Sequence, residues 1–145
     1  MRHPLLISLA VVALSLSATP RSAGADGGIV FLCHVSNPAS TLSGGELKKA
    51  LTGGTKQWSN GAIIQVGLTA PDSREVASLA DAAGMTAPDL LSRIQQQVFK
   101  GEMRKPVMLR ASAECIGLAR SVPGAICAAT AGGVLPPDVK IIQVR

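Results

Sequence analysis

Hydrophobic positions along this chain fall into two kinds of block. Ile29 to Val35 (IVFLCHV) is a short apolar run, β-branched and aromatic, and predicts a buried strand. Ser36-Asn37-Pro38 ends it. Leu47, Ala50 and Leu51 then recur at helical spacing behind Ser43-Gly44-Gly45-Glu46, a capping-box pattern with Glu at the third helical position. Gly53-Gly54 stops that helix, and Trp58-Ser59-Asn60-Gly61 is a turn. Ile63 to Leu68 predicts the second strand.

Asp72-Ser73-Arg74-Glu75 repeats the capping-box pattern with Asp72 as the cap. Val76, Leu79, Ala80 and Ala83 follow at helical spacing, up to Gly84. Thr86 caps a third helix carrying Pro88 and Asp89 in its first turn, with Leu90, Leu91, Ile94 and Val98 inward. Lys100-Gly101 closes it, and Pro106 to Leu109 reads as a short strand. Ser112 is the expected cap of a fourth helix running to about Ser121, where Pro123-Gly124 is a hard stop. Ala125 to Ala129 and Lys140 to Val144 are the last expected strands. Strands separated by helices imply an α/β architecture with a mixed or parallel sheet. Ligands in such folds sit at the C-terminal ends of strands beside helix N-termini. Ser36-Asn37 and the run Thr69 to Arg74 satisfy that rule.

The first residues have another character. Arg2 and His3 precede the apolar run Leu5 to Leu16, and Ala23-Gly24-Ala25 is a small-x-small cleavage site. This is the pattern of a secretory signal peptide over residues 1–25, leaving one domain over residues 26–145 and placing it in the periplasm. The apolar run is short of the roughly 20 residues that a spanning helix needs.

Charge narrows the function. The formal excess of +5 is mild, and Arg2 and Arg21 leave with the leader. The exported part has Phe31, Trp58 and Phe99 as its aromatics and no Tyr. A nucleic-acid groove needs a dense basic stripe, often with stacking aromatics, so no nucleic-acid partner is expected. The cluster Lys100, Arg104, Lys105 and Arg110 reads as a solvated loop.

No catalytic grouping emerges. Cys33 and His34 are adjacent on a strand, so their side chains point to opposite faces and cannot form a nucleophile–base pair. No C-x-x-C, H-x-x-x-H, acidic cluster or phosphate-binding G-x-x-x-x-G-K sequence occurs, so no metal site or cofactor is expected. Cys33, Cys115 and Cys127 are the three cysteines, an odd number in an oxidising compartment. From Cys115 down a helix to Val122 is roughly 11 Å at helical rise. From Gly124 back along a strand to Cys127 is roughly 10 Å. The two sulfurs come level, either as a disulfide or as two buried thiols.

The order of motifs resembles the phosphate-binding periplasmic proteins of ABC transporters. The matching residues are Leu42-Ser43, Leu47, Gly53 or Gly54, Trp58, Gly61 and, near the end, Pro123-Gly124-Ala125-Ile126. Between them lie the turn containing Ser73 and the element Val98-Phe99-Lys100-Gly101. The resemblance spans nearly the whole exported part. It implies a single lobe of a type II periplasmic-binding-protein-like fold, a mixed sheet flanked by helices, where full members have two lobes. It also implies phosphate or a similar small oxyanion as ligand, no enzymatic activity, and an ABC transporter membrane component or another envelope protein as partner.

The sequence departs from the family at the anion turn. Members read Arg-x-Asp-Gly-Ser-Gly-Thr there, and this chain reads Thr69-Ala70-Pro71-Asp72-Ser73-Arg74-Glu75, keeping Ser73 alone. Cys127-Ala128 likewise replaces a Gly-Tyr pair. The candidate anion-binding set is therefore Ser36, Asn37, Thr69, Ser73 and Arg74. Two or three charge-assisted hydrogen bonds give roughly 1.5–3 kcal/mol each, and association costs at least about 4 kcal/mol. A lone lobe should bind in the millimolar range, and tighter binding needs a second lobe, as in a homodimer. The alternative is an envelope interaction protein that keeps the fold without the ligand.

Overall fold

The computed structural model describes residues 28–145, so the expected leader lies outside the described residues. In chain order the elements are β1 (Ile29–His34), β2 (Thr41–Leu42), α1 (Gly44–Leu51), β3 (Gln65–Leu68), α2 (Arg74–Ala82) and α3 (Ala87–Phe99), followed by β4 (Val107–Met108), α4 (Ser112–Ser121), β5 (Ala125–Thr130) and β6 (Val139–Val144). The strands form one sheet in the order β2-β6-β1-β5-β3-β4. It is mixed: β5, β3 and β4 run parallel, while β1 is antiparallel to both β5 and β6.

Alternation along the strands builds two cores, because successive side chains face opposite sides of a sheet. Cys33, Ile126, Ala128 and Ile142 join Leu47 and Leu51 of α1, Val76 and Leu79 of α2, and Leu90 and Ile94 of α3. Leu32, Ala125, Cys127 and Ala129 face the other way, onto Cys115, Leu118 and Ala119 of α4. Three helices thus cover one face and one helix the other. A Cβ on Gly67 of β3 would lie 2.6 Å from Leu118 Cδ2, so Gly there lets the helix approach. Cys115 and Cys127 face each other at a Cα–Cα distance of 5.9 Å and are joined as a disulfide, leaving Cys33 as a buried free thiol.

Local chemistry decides the boundaries. Ser43 and Thr86 cap α1 and α3, accepting from Glu46 N and Asp89 N. Two caps differ from expectation. In α2 the cap is Ser73, not Asp72, because Ser73 Oγ accepts from Val76 N while Asp72 stays exposed in the turn. In α4 the cap position is Ala111 and carries no side-chain hydrogen bond; Ser112 is the first helical residue and its hydroxyl is taken by Thr130 N. The second strand starts at Gln65 rather than Ile63, since Ile64 N bonds Lys56 O and Ile63 forms only an isolated bridge with Gln57. The two-residue β2 was not expected; it is held by Gln143 N to Ser40 O and Arg145 N to Leu42 O, both 2.9 Å. Among the described residues no helix is long and apolar enough to cross a membrane.

Candidate functional site

Sheet register determines which candidate residues meet. Cys33 pairs with Ile126, and Ile126 pairs with Val66, so these three are level. Thr69 is three residues beyond Val66, and Ser36 is three residues beyond Cys33, but the strands run in opposite directions. The two candidate positions therefore sit about 20 Å apart along the sheet, at opposite ends. The strand-end rule grouped them only on the assumption of parallel strands, and β1 is antiparallel.

Ser36 and Asn37 serve a turn. His34 Nδ1 accepts the N–H of Ser36 at 3.0 Å and lies 2.6 Å from Ser36 Oγ. Asn37, 1% exposed, accepts Ala39 N at 2.9 Å through Oδ1. Asn60 Nδ2 donates to Ser36 O at 3.1 Å and ties the turn to the following loop.

Thr69, Ser73 and Arg74 lie together at the other end, where α2 leaves β3. Thr69 is 6% exposed, and its Oγ1 is 2.6 Å from Ser73 Oγ. Ser73 Oγ also accepts Val76 N at 3.2 Å, closing the helix start. Arg74 is exposed and joins no ion pair among the described residues.

The parallel trio brings further residues to this edge that sequence reasoning missed. α4 begins here too, just after β4, and β5 ends here at Thr130. Thr130 N donates to Ser112 Oγ, and Thr130 Oγ1 donates to Glu75 Oε1 at 3.3 Å. The end of β5 thus links the first turn of α4 to the first turn of α2. Glu114 Oε2 accepts Arg110 N at 2.8 Å and holds the loop before α4. Knowing that β3, β4 and β5 are parallel would have located Ser112 and Thr130; the local sequence alone does not.

The edge therefore carries four hydroxyls (Thr69, Ser73, Ser112, Thr130), each already in a hydrogen bond, two helix N-termini on opposite faces of the sheet, and the exposed residues Arg74 and Arg110. Helix N-termini carry partial positive charge and favour anions. Glu75 and Glu114 already lie in the two first turns and offset part of that field. The arrangement suits hydrogen bonding to a small polar solute. Among the described residues no three His, Cys, Asp or Glu side chains come together as a metal site.

No protein-family model matches the chain, and no curated protein matches it. Solved structures do. An ABC-type phosphate transport receptor from Vibrio cholerae aligns with a TM-score of 0.60 at 15% identity, covering 81% of this chain and 46% of that one. A putative phosphate ABC transporter substrate-binding protein from Clostridium perfringens, solved with bound phosphate, aligns at 0.60 and 20% identity over 81% and 44%. PstS from Borrelia burgdorferi aligns at 0.59 and 18% identity over 81% and 47%. The chain spans less than half the length of each. At these identities the likeness establishes the architecture: a mixed α/β lobe of the kind found in phosphate transport receptors.

Proposed function

We propose that this chain is an exported solute-binding-like lobe, not an enzyme, that weakly holds phosphate or a related small oxyanion at the edge between α2 and α4. One observation supports this above the rest. The N-termini of α2 and α4, on opposite faces of the sheet, both open at the C-terminal edge of the parallel strands and are linked there through Thr130, with Thr69 and Ser73 beside the first and Ser112 beside the second. Arg74 supplies the neighbouring charge. Ser36 and Asn37 have no part in this site. A membrane component of a transporter, or a second copy closing over the edge, is the partner this reading implies.

Calorimetric titration with phosphate tests it, against sulfate and ionic-strength-matched chloride, with Arg74→Ala beside the native protein. Saturable heat at roughly millimolar phosphate, lost in the variant, is expected from the energetics above. No heat beyond the chloride control sinks the reading.

A second reading has its own support. Glu75 and Glu114 occupy the two helix starts, and Thr130 and Arg110 already satisfy them. If phosphate produces no heat, the edge caps itself, and the lobe is an envelope interaction protein that retains only the fold.

A further inference from the structure

The end of the molecule opposite this site is strongly basic, and the proposed function leaves it unused. Val107 pairs with Gly67, and Gln65 Nε2 donates to Lys105 O at 3.0 Å, so Lys105 lies at the start of β3. Arg110 lies beyond β4 at the opposite end, so the basic cluster of the sequence is divided between the two. Lys105 instead joins residues from two packed loops. Gln97 Nε2 donates to Thr52 O at 3.0 Å, Thr55 N to Lys49 O at 3.1 Å, and Lys56 Nζ pairs with Glu102 Oε2 at 3.2 Å. Lys48, Lys49, Lys56, Lys100, Arg104 and Lys105 thereby share one end, with Glu102 as the acid among them.

Apolar surface accompanies the charge. Phe99, the last residue of α3, is 93% exposed beside Lys100. Ile63, 43% exposed, lines a cleft of about 250 Å³ with Lys56, Met103 and Arg104. An aromatic ring left in water next to a lysine cluster contributes nothing to either core.

We propose that this end docks on an anionic lipid surface, with Phe99 entering the headgroup layer and the basic side chains lying against the headgroups. The composition of the cluster selects this occupant over an acidic protein. Five of its six cations are lysines, compact point charges on flexible stems that suit a diffuse array of headgroups. A fixed carboxylate partner favours the planar fork of arginine. An exposed aromatic next to a basic side chain is also the pattern of side chains that lie at a membrane interface. Each basic side chain near such a surface is worth about a fivefold change in partitioning.

The test is sedimentation of the purified protein with vesicles of phosphatidylglycerol alone and of phosphatidylcholine alone, over a salt series. Association with the anionic vesicles only, weakening as salt rises, is expected. Replacing Lys100, Arg104 and Lys105 together by Gln should weaken it on the order of a hundredfold; all three are exposed, so the fold is spared. A Phe99→Trp variant should shift its emission to the blue on phosphatidylglycerol, over the constant background of buried Trp58. Equal binding to both vesicles, no binding to phosphatidylglycerol at low salt, or native binding by the triple variant overturns the proposal. Capture by polyglutamate with no emission shift on vesicles also overturns it and assigns the patch to an acidic polypeptide.

Discussion

Thr69 Oγ1 lies 2.6 Å from Ser73 Oγ, joining the end of β3 to the cap of α2 through two hydroxyls. Ser73 Oγ also accepts the N–H of Val76, so this one side chain fixes both the helix start and the strand end. Ser73→Ala removes the cap, worth about 1 kcal/mol, and strands the nearly buried Thr69 hydroxyl, worth about 1–3 kcal/mol. Thr69→Val leaves the cap in place and should cost less. Urea unfolding of the two variants decides this. A Ser73→Ala variant no less stable than Thr69→Val would show that the cap and the stranded Thr69 hydroxyl carry little.

Gly124 is expected to be among the least replaceable residues. A Cβ there would overlap the carbonyl group of Ile63. Its own carbonyl accepts Gln65 N at 2.9 Å and Trp58 Nε1 at 3.0 Å. Gly124→Ala should destabilise by more than about 3 kcal/mol, since the clash is with backbone. Trp58→Phe loses one buried hydrogen bond and should cost about 1–3 kcal/mol. Thermal midpoints check both, and a native-like midpoint for Gly124→Ala would contradict the close approach.

The Cys115–Cys127 bond closes a short loop, at a sequence separation of 12. Loop-closure entropy puts its contribution near 3 kcal/mol. Thiol titration of the unfolded, unreduced protein should find Cys33 alone, and reduction should expose Cys115 and Cys127 as well. Cys115→Ser/Cys127→Ser should lower the urea midpoint accordingly. Three titratable thiols before reduction would disprove the bond.

Cys33 should impose a pH dependence at the alkaline end. Burial raises its thiol from 9.0 to about 11, with nearby Lys140 opposing the shift. The folded state then holds the proton more tightly than the unfolded state. The resulting stabilisation is full below pH 9.0 and is lost as pH rises toward about 11. Its size is about 2–3 kcal/mol. Urea unfolding at about pH 8 and about pH 11, in native and Cys33→Ala proteins, isolates this part. An identical loss in both would assign the dependence to other groups.

Most elements were readable because their signals are local. Ser43 and Thr86 announce their helices through caps that need only neighbouring residues, and the IVFLCHV run shows its strand through burial. The direction of β1 is not local. Nothing in residues 29–34 states that the strand runs against β5, and that one fact separates Ser36 and Asn37 from Thr69, Ser73 and Arg74. The same non-local geometry brings Ser112 and Thr130 to the candidate site through the parallel pairing of β3, β4 and β5. The two cap errors have a related cause. Asp72 and Ser73 are both good caps, and the choice fell to Thr69, which reaches Ser73. Ser112 is drawn away from capping by the end of β5.

The placement of β1 also governs how the chain reaches this fold. Its neighbours are the last two strands: Ile29 pairs with Thr130, and Phe31 with Ile142. The first strand of the described residues is central in the sheet, yet its partners are the last two strands of the chain. Such contacts raise the contact order and slow folding, because a long loop must close before the pairing repays it. The sheet therefore cannot be completed while the C-terminal strands are still missing. Pairing of β1 is thus a late event of folding, made only once β5 and β6 are available on either side of it.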